Sequence, residues 1–135
     1  MVISMTRRNI HGDWTMSFHN RILRSAVIGS TNQEASKAWL NELKAMVTSS
    51  AAGVSEPWVM LIDGSLWEMS PDEVWDTNNE FVAWVMSNNC IFLAFVLSKK
   101  IQSFALEKGL NDQSVINIYF DYDEANLACL AKLND

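Results

Sequence analysis

Residues 57–64 read Pro57-Trp58-Val59-Met60-Leu61-Ile62-Asp63-Gly64, an unbroken apolar run closed by an aspartate and a glycine. The run has the length of a strand, and its continuous pattern suits a strand covered on both faces. Cys90 to Leu97 repeats it, and Val115 to Phe120 adds a β-branched and aromatic third copy. Helical patterns separate the three. Strands that alternate with helices predict a mainly parallel sheet built from crossover units.

Outward from that centre, Trp14, Met16 and Phe18 alternate with Asp13, Thr15 and Ser17, the period of a half-buried strand. His19 and Asn20 supply a turn into a second strand, Ile22 to Ile28, which Gly29 ends. Thr31 with Glu34 forms a capping box for a helix to Val47, whose apolar face is Trp39, Leu40, Leu43, Met46 and Val47. Thr48 to Glu56 is a connector. Ser70 as N-cap, Pro71 as first helical residue and the acidic pair Asp72 and Glu73 open the next helix. Its inward stripe is Val74, Trp75, Phe81, Val82 and Val85, and Asn88 with Asn89 stops it. Ser98 caps a short helix through Leu106, Gly109 supplies a left-handed stop, and Asp121 with Glu124 opens a last helix bearing Ala125, Ala128, Cys129 and Leu133. The expected fold is α/β in the order ββαβαβαβα: an N-terminal hairpin and a mixed, mostly parallel sheet of about five strands with helices packed on it. One domain over residues 1–135 is expected, with residues 1–9 flexible.

With 49% hydrophobic and 19% charged residues the composition is that of a globular, soluble chain. No apolar run reaches the ~20 residues a bilayer requires, so no integral membrane association is expected. Arg7 and Arg8 are not followed by an apolar stretch, so export is not expected and a cytoplasmic location is. Cys90 and Cys129 belong to no Cys or His cluster and read as reduced core thiols. A net charge of −6 with scattered basic residues disfavours nucleic acid.

The pattern resembles the STAS domain family, which includes anti-sigma-factor antagonists, and more closely the bacterial SpoIIAA-like proteins. The resemblance rests on Gly29 to Asn32 before the first long helix, the Pro57-Trp58 strand ending in Asp63, Ser70-Pro71, and Phe120-Asp121 with Glu124-Ala125. It implies a SpoIIAA/STAS-like fold and a regulatory or protein-interaction role. Phosphorylatable antagonists of that family carry an Asp-Ser-Ser-Gly turn. Here the matching residues are Glu68-Met69-Ser70-Pro71-Asp72-Glu73, so the motif is absent and Asp72 stands near the modified position. Ser70 reads as a cap, with phosphorylation as the competing role.

Asp63, Glu68, Asp72 and Glu73 gather after the central strand, where open α/β sheets bind ligands. They fit either helix-start electrostatics or a hard-cation site, though their spacing matches no calcium loop. A phosphoryl-accepting receiver domain is excluded, because the acidic pair after its first strand and the lysine after its last have no counterparts. His11 and His19 flank the first strand without a triad-like aspartate, and no nucleophile elbow, P-loop, dinucleotide or zinc-protease motif occurs. No catalytic set and no cofactor are therefore expected. Of six tryptophans, Trp39, Trp58 and Trp75 fit core faces, whereas Trp67 lies in a loop and Trp84 off its helix's apolar stripe. These two, with Trp14, form either a partner surface or rings covered by loops. The candidate interaction or ligand edge is Asp63, Trp67, Glu68, Ser70, Asp72 and Trp84. It implies a non-enzymatic module that binds a protein partner or itself as a homodimer. The alternatives are a small apolar-ligand or lipid carrier of Sec14-like type, and an enzyme using the carboxylates.

Overall fold

The computed structural model describes residues 2–4, 12–50, 54–68 and 70–135, the first three through strand pairing alone. Along the chain come β1 (Val2–Ser4), β2 (Asp13–His19), β3 (Ile22–Ile28), α1 (Gln33–Thr48), β4 (Trp58–Asp63), α2 (Val74–Ser87), β5 (Cys90–Val96), α3 (Lys100–Gly109), β6 (Asn117–Tyr119) and α4 (Tyr122–Leu133). The strands form one six-stranded sheet in sequence order. β1, β2 and β3 pair antiparallel, and β3 through β6 pair parallel. This is the expected order with a short edge strand, β1, added within the segment expected to be flexible. Residues 1 and 5–11, His11 among them, lie outside the described residues.

The β2–β3 turn falls on Asn20 and Arg21, one residue later than expected, so that His19 still pairs with Ile22. Both turn residues hold positive φ, 52° and 63°, as a two-residue primed turn requires. In β4 the side chains of Trp58, Met60 and Ile62 enter the core beneath α1, α2 and α3, while Val59 and Leu61 pack with Ala125 and Cys129 of α4. Helices thus cover both faces of the strand, which is why its sequence is apolar without alternation. No helix among the described residues is long and apolar enough to cross a membrane.

Four elements differ from expectation at a boundary. α1 is capped by Asn32, whose Oδ1 accepts from the Ala35 N–H at 2.9 Å, because the Thr31 hydroxyl bonds that of Ser70 at 2.8 Å. α2 begins at Val74 and not at Pro71, with Glu73 at its cap position making no side-chain cap bond. α3 runs from Lys100 through Gly109, so Ser98 does not cap it and Gly109 is helical, not a left-handed stop. The strand expected at Val115 to Phe120 shortens to β6, because Gln113–Val115 wind into a 3₁₀ turn.

Cys90 and Cys129 are both buried, Cys90 in the core beneath α1 and α2 and Cys129 beneath α4, so the sheet lies between them. Burial pushes the Cys90 thiol from its ordinary 9.0 up to about 12 and that of Cys129 up to about 11. A group whose pKa is raised on folding contributes stability that is whole below pH 9.0 and is lost as pH rises toward 12. Thermal unfolding should therefore be level in this respect up to pH 9 and fall above it. The fall should be shallower in Cys90→Ala, and equal slopes in the two proteins would contradict the assignment.

Candidate functional site

The segment after β4 is tied down on three sides. Asp63 turns the chain by accepting the Ser65 N–H on Oδ1 at 3.0 Å, and the Gly64 N–H donates to the Val96 carbonyl at 2.7 Å. Gly29, in the left-handed region at φ 77°, then extends the β3 edge beside this loop. It donates to the Leu66 carbonyl at 2.9 Å and accepts from the Glu68 N–H at 3.0 Å. The third tie is Gln102 of α3, a residue the sequence did not single out. Its amide donates to the carbonyls of Gly64 and Trp67 at 3.0 and 2.8 Å, and its Oε1 accepts from the N–H groups of Ser98 and Lys99 at 2.8 and 2.9 Å. One buried side chain thus joins the β4 loop to the start of α3.

Of the expected site residues, five lie along this connection but do not share one surface. Asp63 follows the alternation of β4 onto the α4 side, beside a groove of about 220 Å³ that Arg24 and Tyr122 also line. Trp67 and Ser70 lie on the other side, where the Trp67 indole donates to the Ser70 hydroxyl at 3.1 Å. Glu68 and Asp72 are exposed. Trp84 stands apart, about 15 Å along α2 from Val74, with the Lys44 ammonium 6.0 Å from its ring centre. No three His, Cys, Asp or Glu side chains among the described residues group as a metal would need.

The tryptophans fold inward. Trp14, Trp39 and Trp58 are buried, and Trp67, Trp75 and Trp84 half-buried. The side chains that do face water at this end are aliphatic and phenyl. Leu66, Ile101, Phe104 and Phe120 are 66, 58, 64 and 57% exposed. Ile101 and Phe104, three apart on α3, share a helix face. The Ser98 hydroxyl, bonded to the Ser65 carbonyl at 2.6 Å, sets Leu66 near the start of that helix. Phe120 leaves β6 next to the Leu97 N–H bonded to Tyr119. Together they border the carboxyl ends of β4, β5 and β6, flanked by exposed Lys99, Lys100 and Lys108.

No protein-family model matches the chain, and no curated protein matches it in sequence. Solved structures do match its fold. One is an uncharacterised DUF3478-family protein with a SpoIIAA-like fold from Shewanella loihica, at TM-score 0.60 and 13% identity, covering 93% of this chain and 99% of that one. Another is an anti-sigma factor antagonist from Mycobacterium paratuberculosis, at TM-score 0.58 and 14% identity, with the same coverage of each chain. The likeness establishes a SpoIIAA-like, STAS-type fold across nearly the whole chain.

Proposed function

We propose that this SpoIIAA-like domain is a non-enzymatic regulatory module that binds a protein partner through the carboxyl-end surface formed by the β4 loop and α3. The observation that carries the reading is the exposure of Leu66, Ile101, Phe104 and Phe120 on the segments that follow β4, β5 and β6. Large apolar side chains grouped at one edge and rimmed by charge mark contact surfaces on folded domains. The fold likeness to an anti-sigma factor antagonist supports the same reading, though the Asp-Ser-Ser-Gly motif is missing and the Ser70 hydroxyl bonds both Thr31 and Trp67.

The charge around the cluster favours a different protein over a second copy. The chain is acidic at −6, yet Lys99, Lys100 and Lys108 lie at the start and along α3 beside Ile101 and Phe104, with Glu107 the acidic residue of that helix; exposed Glu68 and Asp121 adjoin Leu66 and Phe120. A two-fold dimer through the α3 face would set its lysines against each other, whereas an acidic, apolar partner face complements them. The double variant Ile101→Asp/Phe104→Asp tests this. Both positions are exposed, so stability should change by about 0.5 kcal/mol or less. Recovery of the specific partner from the source lysate should fall about tenfold, a loss of about 1.4 kcal/mol, and wild-type recovery should weaken with salt. A self-associated wild type in light scattering, or equal recovery by the two proteins, would contradict the reading.

A further inference from the structure

Beneath the β4 loop, between the sheet and α1, α2 and α3, lies a cavity of about 100 Å³ that is partly open to solvent. Four indoles, those of Trp14, Trp39, Trp67 and Trp75, line it with Phe81 and Phe95. We infer that this cavity is a binding site for a small, uncharged, single-ring aromatic molecule, independent of the partner surface on α3.

The size limits the ligand first. Apolar cavities of about 150 Å³ stay dry and take up benzene, while sites for drug-sized ligands run from about 300 Å³ upward. At about 100 Å³ with an opening to solvent, the space admits one ring at most, with any substituent toward its opening. It does not enclose a lipid acyl chain, which sets the site apart from a lipid carrier. The lining then selects chemistry. The Trp14 N–H donates to the Glu42 carboxylate at 2.8 Å, that of Trp39 to the Ser25 hydroxyl at 2.9 Å, and that of Trp67 to Ser70 at 3.1 Å. Three of the four indole donors are thus committed to protein acceptors, and those rings present hydrocarbon to the cavity. The wall already shows edge-to-face pairs, Trp39 with Phe81 at 4.8 Å and 76°, and Trp67 with Trp75 at 6.4 Å and 89°. Another ring can join such an array through the same quadrupole contacts. A charged ligand would be desolvated there, because among the described residues no Lys, Arg, Asp or Glu lines the cavity. The nearby polar side chains, Thr31, Ser36 and Asn78, are neutral.

Benzyl alcohol is a suitable probe. Wild-type tryptophan emission, excited at the red edge where a single ring does not absorb, should change saturably as it is added, and its protons should show saturation transfer. Ala35, buried on α1 in the cavity wall, can be enlarged to fill the space. Ala35→Phe should weaken binding roughly tenfold or more. Leu106→Trp fills the same cavity from α3 and serves if Ala35→Phe does not fold. Ile101→Asp, outside the cavity, should bind as wild type does. Absence of a saturable response, an undiminished response in a folded filled variant, or preference for decanoate over benzyl alcohol would each overturn the assignment.

Discussion

Gln102→Leu should destabilise the protein by about 1–3 kcal/mol, although leucine is the more hydrophobic residue and close in size. Gln102 is 3% exposed and spends its amide on the Gly64 and Trp67 carbonyls and its oxygen on the Ser98 and Lys99 N–H groups. A buried carbonyl left without a donor costs about 1–3 kcal/mol. The substitution orphans the Trp67 carbonyl and two N–H groups, while the Gly64 carbonyl keeps the Trp67 N–H at 3.0 Å; the N–H groups at exposed Ser98 and Lys99 have recourse to water. Urea unfolding reads the loss as a lower midpoint. Gln102→Glu supplies the sharper check, because it keeps the acceptor and removes only the donors. At neutral pH a carboxylate would face two carbonyl oxygens, a repulsive arrangement that raises its pKa above the usual value of about 4.3. Its protonated form can donate to one of them. The raised pKa makes the variant relatively more stable as pH falls, so the gap to wild type should narrow on acidification. A gap that stays constant or widens would show that Gln102 acts by packing alone.

That residue also marks the limit of what could be read from the sequence. β4 and β5 were legible because burial on both faces leaves an unbroken apolar run, and α1 because its apolar positions recur at helical spacing. A lone glutamine in an amphipathic segment carries no such signal, since two of its four partners, the Gly64 and Trp67 carbonyls, are 38 and 35 residues away. The same limit governs Ser70. Local rules make Ser-Pro-Asp-Glu a helix start, but Thr31, 39 residues away, and Trp67 hold the hydroxyl, and α2 begins three residues after Pro71. Sequence alone left Trp67 and Trp84, with Trp14, as either a partner surface or rings covered by loops. The acceptors that let indoles lie inward, Glu42 for Trp14, Ser25 for Trp39 and the Asn88 carbonyl for Trp58, are visible only once the chain has folded. The apolar edge of Leu66, Ile101, Phe104 and Phe120 was missed because three segments contribute to it.

Gly109→Ala should destabilise the protein by about 1–3 kcal/mol, against the helix propensity that favours alanine by about 1 kcal/mol. Gly109 is the last residue of α3 and has no positive φ, so backbone freedom does not explain it. Sterics do, because a Cβ there would overlap Cδ2, Cε2 and Cε3 of the Trp75 indole. Neither side can retreat cheaply. Asn79 donates to the Gly109 carbonyl at 3.0 Å and to the Trp75 carbonyl at 2.9 Å, and accepts from the Asn111 N–H at 2.7 Å, which fixes the spacing of α2 and α3. The ring stands edge-on to Trp67, so a displaced Trp75 presses on the cavity wall and the β4 loop. If the overlap is the cause, it disappears with the indole. In a Trp75→Leu background the same Gly109→Ala change should be neutral or stabilising, approaching the propensity value of about 1 kcal/mol. A double-mutant cycle by urea unfolding measures the difference as a coupling energy. Zero coupling, or a stabilising Gly109→Ala in the wild-type background, would mean that α3 can shift away from α2, and the cavity beneath the β4 loop would then have no rigid wall on that side.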